Sequence, residues 1–453
     1  MPDPDRRARS PRRPLLISRS FALIWVAQAL SSFGEYVLAA TVTVWLATGI
    51  APGDPALPLY IGAVVAATSV PRLVLLPFAG VLVDRWPARR VMVAADLARA
   101  ALLVPLLVIA ASAPSPVVIG AVIGTQLLIG CASQLFDPAR AALVQVVVPA
   151  DRRAAAAGRS LLASTGVGIL SGLTGPAVYA VLGPQPALVL DAASFLASAA
   201  LVLAVRERGV TPADVQSGRA GAGAGADADA HGSVASAGAR FRAELGAGIR
   251  IVRSSPRLRI LVAGLAAYGV TLGVNNATLA LLALTTMGLT AAEYGVVTAM
   301  FAVGGLVGSL AAPALVARIR PERALPAALV ALALTYAAHS TASSTIPSPA
   351  PILMGVAGLV FAVFLVSPGP ILQAEAPVGT MGRVSSLTTP VLAASSLLAT
   401  VVTAQVLALL PADAQSGACP IAVATAAVIM GAAGLALVAG GISRGRGPAA
   451  AAS

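Results

Sequence analysis

Apolar stretches separated by short polar loops extend along almost the whole chain of 453 residues. Each stretch holds about 20 mainly apolar residues, the length at which an α-helix crosses a hydrocarbon core roughly 30 Å thick. Twelve stretches fit this description, at residues 20–48, 57–83, 91–112, 116–136, 160–182, 186–205, 258–284, 291–317, 324–342, 350–372, 385–410 and 419–441. The pattern therefore predicts an all-α membrane protein with twelve transmembrane helices.

The predicted spans fall into two sets of six, which predicts one bundle at 20–205 and a second at 258–441. Between them, the middle of segment 206–257 is rich in Gly, Ala and Asp, a composition typical of a flexible linker. The apolar residues that follow recur at helical spacing and predict a short amphipathic helix, on the membrane surface or packed under the second bundle. They are Phe241, Leu245, Ile249 and Val252. Two tails, 1–19 and 442–453, complete the chain.

Basic residues are concentrated on alternate loops. Arginines occupy the N-terminal tail, every second loop and the C-terminal tail, whereas the intervening loops carry only Asp54, Glu293 and Asp413, or no charge. Because basic loops stay in the cytoplasm, both termini are expected there. This topology accounts for the formal net charge of +12, so we expect the lipid bilayer and no nucleic acid as partner. The arginine- and alanine-rich composition suits a bacterial inner (plasma) membrane.

Composition also argues against several classes of protein. Two cysteines and two histidines are too few for a transition-metal site, so we expect no metal and no cofactor. An intramembrane transferase would need a cluster of His, Asp or Ser near one membrane face, so no enzyme is predicted. The sequence has no glycine–lysine phosphate-binding loop, which excludes a self-contained ATP-driven pump.

The two halves repeat weakly. The sequence LVDR at 82–85, with Arg90 five residues on, aligns with LVAR at 315–318 and Arg323. Both lie between the second and third spans of their half. Internal duplication is typical of secondary transporters, whose substrate site lies near the membrane midplane between the repeats.

The stretch from Gly80 to Arg90, GVLVDRWPARR, resembles the signature loop between the second and third helices of the major facilitator superfamily. Three further stretches resemble the branch that holds macrolide-efflux and enterobactin-exporter-like proteins: FDPAR at 136–140, DAASF at 191–195 and QAEAPVGTMGRV at 373–384. The resemblance covers about residues 15–441. It implies two six-helix bundles that export an amphipathic or hydrophobic small molecule by alternating access, in exchange for protons.

Two features of many drug/proton antiporters are missing. The fifth span resembles their glycine-rich motif as far as Gly175 and Pro176, but Tyr179 and Ala180 stand where its last two glycines would be. The fourth span, 117–136, contains no arginine. Export therefore rests more on the resemblance to the branch than on these motifs.

The resemblance also implies contacts that hold the two bundles together on the cytoplasmic side. Asp84 is expected to meet the start of the eleventh span near Arg383, through the helix dipole and a charge pair. A basic residue of the Gly80–Arg90 loop is expected to pair with Asp137: Arg85, Arg89 or Arg90. Such partly exposed contacts contribute about 0.3–1 kcal/mol each, enough to bias a two-state equilibrium. Alternatively, these arginines only fix the topology.

Two ionisable residues are predicted near the middle of the membrane. Glu35 lies about 15 residues into the first span, roughly 22 Å along it, and Arg72 lies about 12 residues, roughly 18 Å, before Asp84. Groups at this depth line a cavity or form pairs, because burying an isolated charge is costly. We hypothesise that Glu35 binds the proton or a cationic substrate and that Arg72 adjusts its proton affinity. Alternatively, the two form a permanent structural ion pair.

Other side chains are candidates for substrate contact or helix packing. Those that could line the substrate cavity, or simply bond a neighbouring helix, are Gln28, Phe33, Tyr36, Gln126, Gln134, Asn275 and Asn276. Residues expected at close helix contacts are Gly172, Gly175, Pro176, Gly304, Gly305 and Gly308. These contacts either let the helices slide against each other or serve packing alone. Asp191, about one turn into the sixth span, is expected to favour the positive helix N-terminus or to line an outer vestibule.

The sequence thus favours a monomeric secondary transporter that exports a drug, macrolide or siderophore-like molecule by proton antiport. Two alternatives stay open: an uptake symporter of the same fold, and a non-transporting membrane sensor or assembly subunit.

Overall fold

The computed structural model describes residues 17–84, 86–149, 152–205, 234–341, 349–375 and 381–439. Long helices account for nearly all of them. The helices of the first half are α1 (Arg19–Trp45, continued by a π-helical turn Leu46–Ile50), α2 (Leu57–Asp84), α3 (Ala88–Ser112), α4 (Ser115–Val147), α5 (Arg153–Leu182) and α6 (Pro184–Leu203).

The second half begins with the helix that follows the linker. Its helices are α7 (Val234–Ser254), α8 (Pro256–Leu281, continued by a π-helical turn Leu282–Thr286), α9 (Ala291–Ile319), α10 (Pro321–Thr341), α11 (Ala350–Val366), α12 (Pro368–Glu375), α13 (Met381–Ala408) and α14 (Ala412–Ala439). Local sequence sets several boundaries. The Ser18 hydroxyl accepts a hydrogen bond from the Phe21 amide and starts α1, and Thr290 and Glu293 form a capping box that starts α9.

Eleven helical segments among the described residues are long and apolar enough to cross a membrane. They correspond to eleven of the twelve predicted spans. The predicted fifth span corresponds to α5, a helix of 30 residues that is not among the eleven. The chain is therefore a multi-pass, all-helical membrane protein, and the number twelve stays a prediction.

One predicted boundary is wrong. The fourth span was expected to end at residue 136, but α4 continues to Val147. Its polar residues Asp137 and Arg140 therefore lie on the helix, one turn apart, and not in the loop that follows. The predicted tenth span is divided at Ser367 into α11 and the short α12, where prolines at 368 and 370 follow in the sequence.

Helix packing repeats in the two halves. In the first bundle α1 packs against α5 and α6, α4 against α2 and α3, and α3 against α6. In the second, α8 packs against α13 and α14, α11 against α9 and α10, and α10 against α14. The weak repeat in the sequence thus corresponds to a repeated arrangement. Between the bundles, α2 packs against α13, and α5 against α9.

The two ends of the molecule differ in packing. We call the end that holds Arg19, Arg89 and Arg152 the basic face. At the opposite face, one apolar cluster joins both bundles and includes Trp45 of the first and Met287 of the second. Nearer the basic face, the described apolar residues form separate clusters for each bundle. Among the described side chains, the hydrophobic core that the two bundles share therefore lies at the opposite face.

A hydrogen bond also joins the two bundles at the opposite face. The side-chain amide of Gln415, in α14, donates hydrogen bonds to the carbonyl oxygens of Pro55 at 2.7 Å and Leu410 at 3.1 Å. Pro55 belongs to the loop between α1 and α2. This bond therefore links the two bundles at the opposite face.

The helix predicted after the linker is present as α7, and it is longer than expected. It packs against α2, α13 and α8, and thus touches both bundles. The predicted flexible part of the linker lies outside the described residues.

The glycines expected at close helix contacts pack within bundles. A Cβ at Gly304 or Gly308 would overlap the backbone of α11, whereas at Gly305 it would stand 3.8 Å from the nearest carbonyl oxygen. A Cβ at Gly175, which precedes the buried Pro176, would press on Ala40 of α1 at 2.8 Å. These glycines therefore permit close approach to α11 and to α1, in their own bundles, and nothing is described of the surroundings of Gly172.

Candidate functional site

Four ionisable side chains meet inside the first bundle. They come from three helices: Glu35 from α1, Asp96 and Arg99 from α3, and Asp191 from α6. We call them the carboxylate cluster. The packing of α1 and α3 against α6 brings the three helices together at this level.

Arg99 is the centre of the cluster and is only 1% exposed. Its guanidinium pairs with Glu35 at 2.6 Å and with Asp96 at 2.8 Å, and donates a third bond to the Ala95 carbonyl at 3.3 Å. Two aromatic rings hold it from the sides, with the guanidinium carbon 4.7 Å from the centre of Phe136 and 4.8 Å from that of Phe195. A buried arginine with this many partners is fixed in one position.

Asp96 is completely buried and fully bonded. Besides Arg99, its carboxylate accepts hydrogen bonds from the hydroxyl of Ser198 at 2.6 Å and of Ser31 at 3.3 Å. These serines belong to α6 and α1. Asp96 therefore ties three helices together through one carboxylate.

Glu35 connects the cluster to the surface. Its carboxylate accepts bonds from Arg99 and from the hydroxyl of Ser133 on α4, yet its side chain is 36% exposed. Of the three acids, Glu35 is therefore the one that is partly exposed.

Asp191 has the opposite environment. It lies two turns into α6, is 1% exposed, and neither carboxylate oxygen has a hydrogen-bond partner among the described residues. Gly34 of α1 faces it so closely that an added Cβ would overlap both Asp191 and Ser194. The prediction that Asp191 stabilises the start of the sixth span is wrong, because the residue lies inside the bundle and not at the helix end.

The cluster holds more negative than positive groups. Two carboxylates pair with the guanidinium of Arg99, and the third, that of Asp191, is buried without a hydrogen-bond partner, so two negative charges would be uncompensated if every group were ionised. Uncompensated charges in a low-dielectric interior are costly. The arrangement can therefore bind protons, or another small cation, more readily than isolated carboxylates at a surface.

Of the two interpretations of Glu35 and Arg72, the structure does not bear out the alternative, a permanent ion pair between them. Arg72 is exposed, and the ion pairs within the described residues do not include it. Arg99 takes the predicted place of Arg72 as the bonded partner.

Arg99 and Asp96 were missed because the third span was taken to begin at residue 91, which placed Arg99 near a loop. The helix begins at Ala88, so Arg99 lies about 17 Å along it. The available signal was the spacing of Asp96 and Arg99, three residues apart on one helical face within an apolar segment.

The predicted contacts between bundles near the basic face are only partly described. Asp84 ends α2 and Arg383 lies in the first turn of α13, but no side-chain contact of either, or of Arg85, falls within the described residues. Arg89 donates a hydrogen bond to the carbonyl of Leu203, at the end of α6. Two other residues of the Gly80–Arg90 stretch are described: Gly80 lies on α2, and Arg90 is exposed.

Among the described residues, Asp137 pairs with Arg140, which was not one of its predicted partners. The two lie one turn apart along α4 at 3.4 Å, and Asp137 is itself 76% exposed. This is a short-range contact within one helix, so it does not connect α4 to the loop between α2 and α3.

The predicted cavity residues differ in exposure. Buried members of the set are Gln28, Gln126 and Asn275, and the carbonyl oxygens of Gln28 and Asn275 have no hydrogen-bond partner among the described residues. Tyr36 is exposed, next to Glu35. Partly exposed members are Phe33, Gln134 and Asn276. The set therefore combines buried side chains with partly or fully exposed ones.

Several solved structures with a similar fold are transporters. A crystal structure of a variant of the nucleoside transporter NupG matches with a TM-score of 0.70 and 14% identity, covering 92% of this chain and 99% of that chain. The POT family transporter PepTSo matches with a TM-score of 0.68 and 13% identity over 94% and 98%. A bacterial homologue of the iron transporter ferroportin, in an inward-facing state, matches with a TM-score of 0.67 and 15% identity over 92% and 98%.

These identities are low enough that the likeness concerns the fold alone. Among curated protein sequences, none gives a significant match. The family model of the Major Facilitator Superfamily matches residues 24–400, which is most of the chain and includes helices of both bundles. This protein therefore belongs to the major facilitator superfamily of membrane transporters.

Proposed function

We propose that the protein is a secondary active transporter that exports an amphipathic or hydrophobic small molecule in exchange for protons. The substrate class follows the resemblance to the macrolide-efflux and enterobactin-exporter-like branch. The proposal includes twelve spans with both termini in the cytoplasm, a monomeric state, and a bacterial inner membrane. The alternation of basic and uncharged or acidic loops supports this orientation.

The carboxylate cluster is the observation that carries the proposal. Glu35 and Asp96 pair with Arg99, Asp191 is buried in the same bundle without a hydrogen-bond partner, and Glu35 is partly exposed. A proton that reaches Glu35 weakens its ion pair with Arg99, and the guanidinium then interacts more strongly with Asp96. Proton binding thereby changes how α1 is held against α3, and such a change couples protonation to helix packing.

The packing of the bundles supports alternating access. A shared apolar core and the bond from Gln415 to Pro55 close the opposite face, whereas separate clusters lie near the basic face. In the proposed topology this arrangement faces the cytoplasm, where an exporter collects its substrate. Release outside requires the shared core to open and the basic face to close.

Transport in proteoliposomes tests the proposal. Purified protein is reconstituted with a pH-sensitive dye inside, a proton gradient is imposed, and macrolides, other lipophilic drugs and siderophores are added in turn. We expect substrate-dependent proton movement in the unaltered protein, and its loss in Glu35→Gln, which keeps the size of the side chain but cannot release a proton. Glu293→Gln is the matched control, because Glu293 is an exposed capping residue and glutamine also satisfies a capping box.

Each outcome has a defined meaning. Proton movement that disappears in Glu35→Gln and persists in Glu293→Gln supports coupling through the cluster. Equal proton movement and an unchanged pH dependence in Glu35→Gln would exclude Glu35 as the coupling site. Absence of flux for every compound, with protein shown to be folded, would contradict the proposed substrate class.

A further inference from the structure

One face of α6 borders the carboxylate cluster along two helical turns. It carries Asp191, Phe195 and Ser198, which recur at helical spacing. The Ser198 hydroxyl donates to Asp96 at 2.6 Å, and the centre of the Phe195 ring lies 4.8 Å from the guanidinium carbon of Arg99. Asp191 is therefore one helical turn from the ring that contacts Arg99, on the side of the opposite face.

Asp191 lies in a closed environment. It is 1% exposed, and neither carboxylate oxygen has a hydrogen-bond partner among the described residues. The apolar side chains one turn before and one turn after it, Leu188 and Phe195, are both buried completely. Gly34 of α1 lies so close that a Cβ there would overlap both Asp191 Oδ1 and Ser194 Oγ. The contact between α1 and α6 at Gly34 therefore covers the carboxyl group.

The positive charge of the cluster is already used by other acids. Arg99 carries one positive charge and pairs with both Glu35 and Asp96. An ionised Asp191 would be a buried carboxylate without a hydrogen bond, which is a costly state inside a membrane. A bound proton removes that charge.

The other charged residues of the helices around α6 lie nearer the basic face. α6 packs against α1, α3 and α5. Outside the cluster, the charged residues of these three helices all lie within two turns of the helix end at the basic face: Arg19, Arg89, Arg90, Arg153 and Arg159. Asp191 lies about 18 Å before the end of α6 at that face. These arginines are therefore poorly placed to neutralise it.

The space around the carboxyl group suits a proton and not a larger cation. A calcium ion takes about six to eight oxygen ligands, and the described residues hold no group of three or more His, Cys, Asp or Glu side chains placed to bind a metal. Gly34 already fills the space beside Oδ1 of Asp191. The neighbouring Ser194 hydroxyl donates to the Asp191 backbone carbonyl at 2.8 Å. Its oxygen can still accept a hydrogen bond from a protonated carboxyl group.

We propose that Asp191 is a second proton-binding site of the first bundle and holds its proton as a neutral carboxylic acid in this conformation. The site differs from Glu35, which is partly exposed and paired with Arg99. Because Gly34 covers Asp191, its proton can be exchanged only when α1 and α6 separate. Any role of this proton in transport rests on the proposed function, whereas its presence at Asp191 does not.

Infrared spectroscopy of the full chain, in a neutral detergent without ester groups, tests the proposal. A neutral carboxylic acid has a carbonyl stretching band that an ionised carboxylate lacks. We expect this band to be present at about pH 7.5, where acids of ordinary proton affinity are ionised. It should shift when aspartate is isotopically labelled at its side-chain carboxyl, and should be lost in Asp191→Asn.

Three further variants make the test specific. Asp413→Asn is the matched control, because Asp413 is an exposed acid in the first turn of α14 and the band should persist without it. Asp96→Asn should also keep the band, since Asp96 is paired with Arg99. Ser194→Ala keeps the acid and should shift its band without removing it, so the assignment does not depend on the folding of Asp191→Asn.

Hydrogen exchange tests the closure at Gly34. After transfer to heavy water the band should shift more slowly in the unaltered protein than in Gly34→Ala, because the added methyl group forces α1 and α6 apart. Equal rates would overturn the inference that Gly34 seals the site.

Other results would overturn the proton site itself. These are an absent band in the unaltered protein, a band that follows labelling of glutamate instead of aspartate, and a band that is lost in Asp96→Asn but kept in Asp191→Asn. The spectra require no substrate, so they are separate from the transport assay. Absence of proton flux together with the band would contradict the proposed function alone, whereas flux without the band would overturn the proton site alone.

Discussion

Replacing Arg99 by methionine tests whether the carboxylate cluster holds the first bundle together. Methionine fills much of the same space but leaves Glu35 and Asp96 without their cation. Removal of one partner of a buried ion pair costs about 3–5 kcal/mol, because the remaining charge is uncompensated. Asp96 keeps two hydroxyl donors, Ser31 and Ser198, so we expect a loss at the lower end of that range, about 3 kcal/mol.

A double-mutant cycle isolates the interaction itself. Asp96→Asn removes the buried charge that Arg99→Met leaves behind, so the double variant should be less damaged than the sum of the two single variants. Coupling between contacting residues is about 0.5–3 kcal/mol, and we expect about 2 kcal/mol here, since the pair is 2.8 Å apart and buried. Free energies of unfolding would be measured by circular dichroism in mixed micelles of neutral detergent and dodecyl sulfate.

Arg140→Met is the matched control. Arg140 also pairs with an aspartate three residues away on the same helix, but at 3.4 Å and with Asp137 largely exposed, so its loss should cost only about 0.2–1 kcal/mol. If Arg99→Met cost no more than this control, or if the single effects simply added, the cluster would not be an interacting unit. The reasoning about proton coupling would then lose its structural basis.

Two further predictions concern helix contacts. Gly34→Ala should destabilise the first bundle by about 1–3 kcal/mol, because the new methyl group overlaps Asp191. The control is Gly120→Ala, whose methyl group enters open space and should not lower the melting temperature. Equal melting temperatures of the two variants would contradict the close contact at Gly34. Gln415→Ala removes the bond to Pro55, worth about 0.5–1.5 kcal/mol, and should shift the population towards states open at the opposite face by a factor of about 2–12. Distances between spin labels on the α1–α2 loop and on α14 would report this shift, and an unchanged distance distribution would rule it out.

Hydropathy predicted the described helices well because crossing a membrane imposes a length and a composition that a sequence shows directly. Most boundaries differ from the predicted ones by a few residues. The clear failure is the end of α4, where Asp137, Pro138 and Arg140 were taken as a loop. A helix that extends beyond the hydrocarbon can carry charged residues, so polarity there did not mark its end.

The candidate site was only partly predictable. Glu35 was identified because an acid deep in an apolar segment is unusual in any context. Its partner could not be deduced, since depth along a helix says nothing about the direction in which a side chain points. Arg72 and Arg99 lie at similar depths on different helices, but Arg99 on α3 is turned into the bundle, whereas Arg72 on α2 is exposed.

In the state described here, the shared apolar core at the opposite face can serve as a pivot about which one bundle rotates against the other. The helices that leave this pivot are long: α2 has 28 residues and is therefore about 42 Å from end to end. A rotation of one bundle by only about 10° would displace its far end by roughly 7 Å over that length. Changes of a few tenths of an ångström around the pivot are thus enlarged many times at the basic face. A small molecule could therefore be admitted or excluded there with little rearrangement inside either bundle.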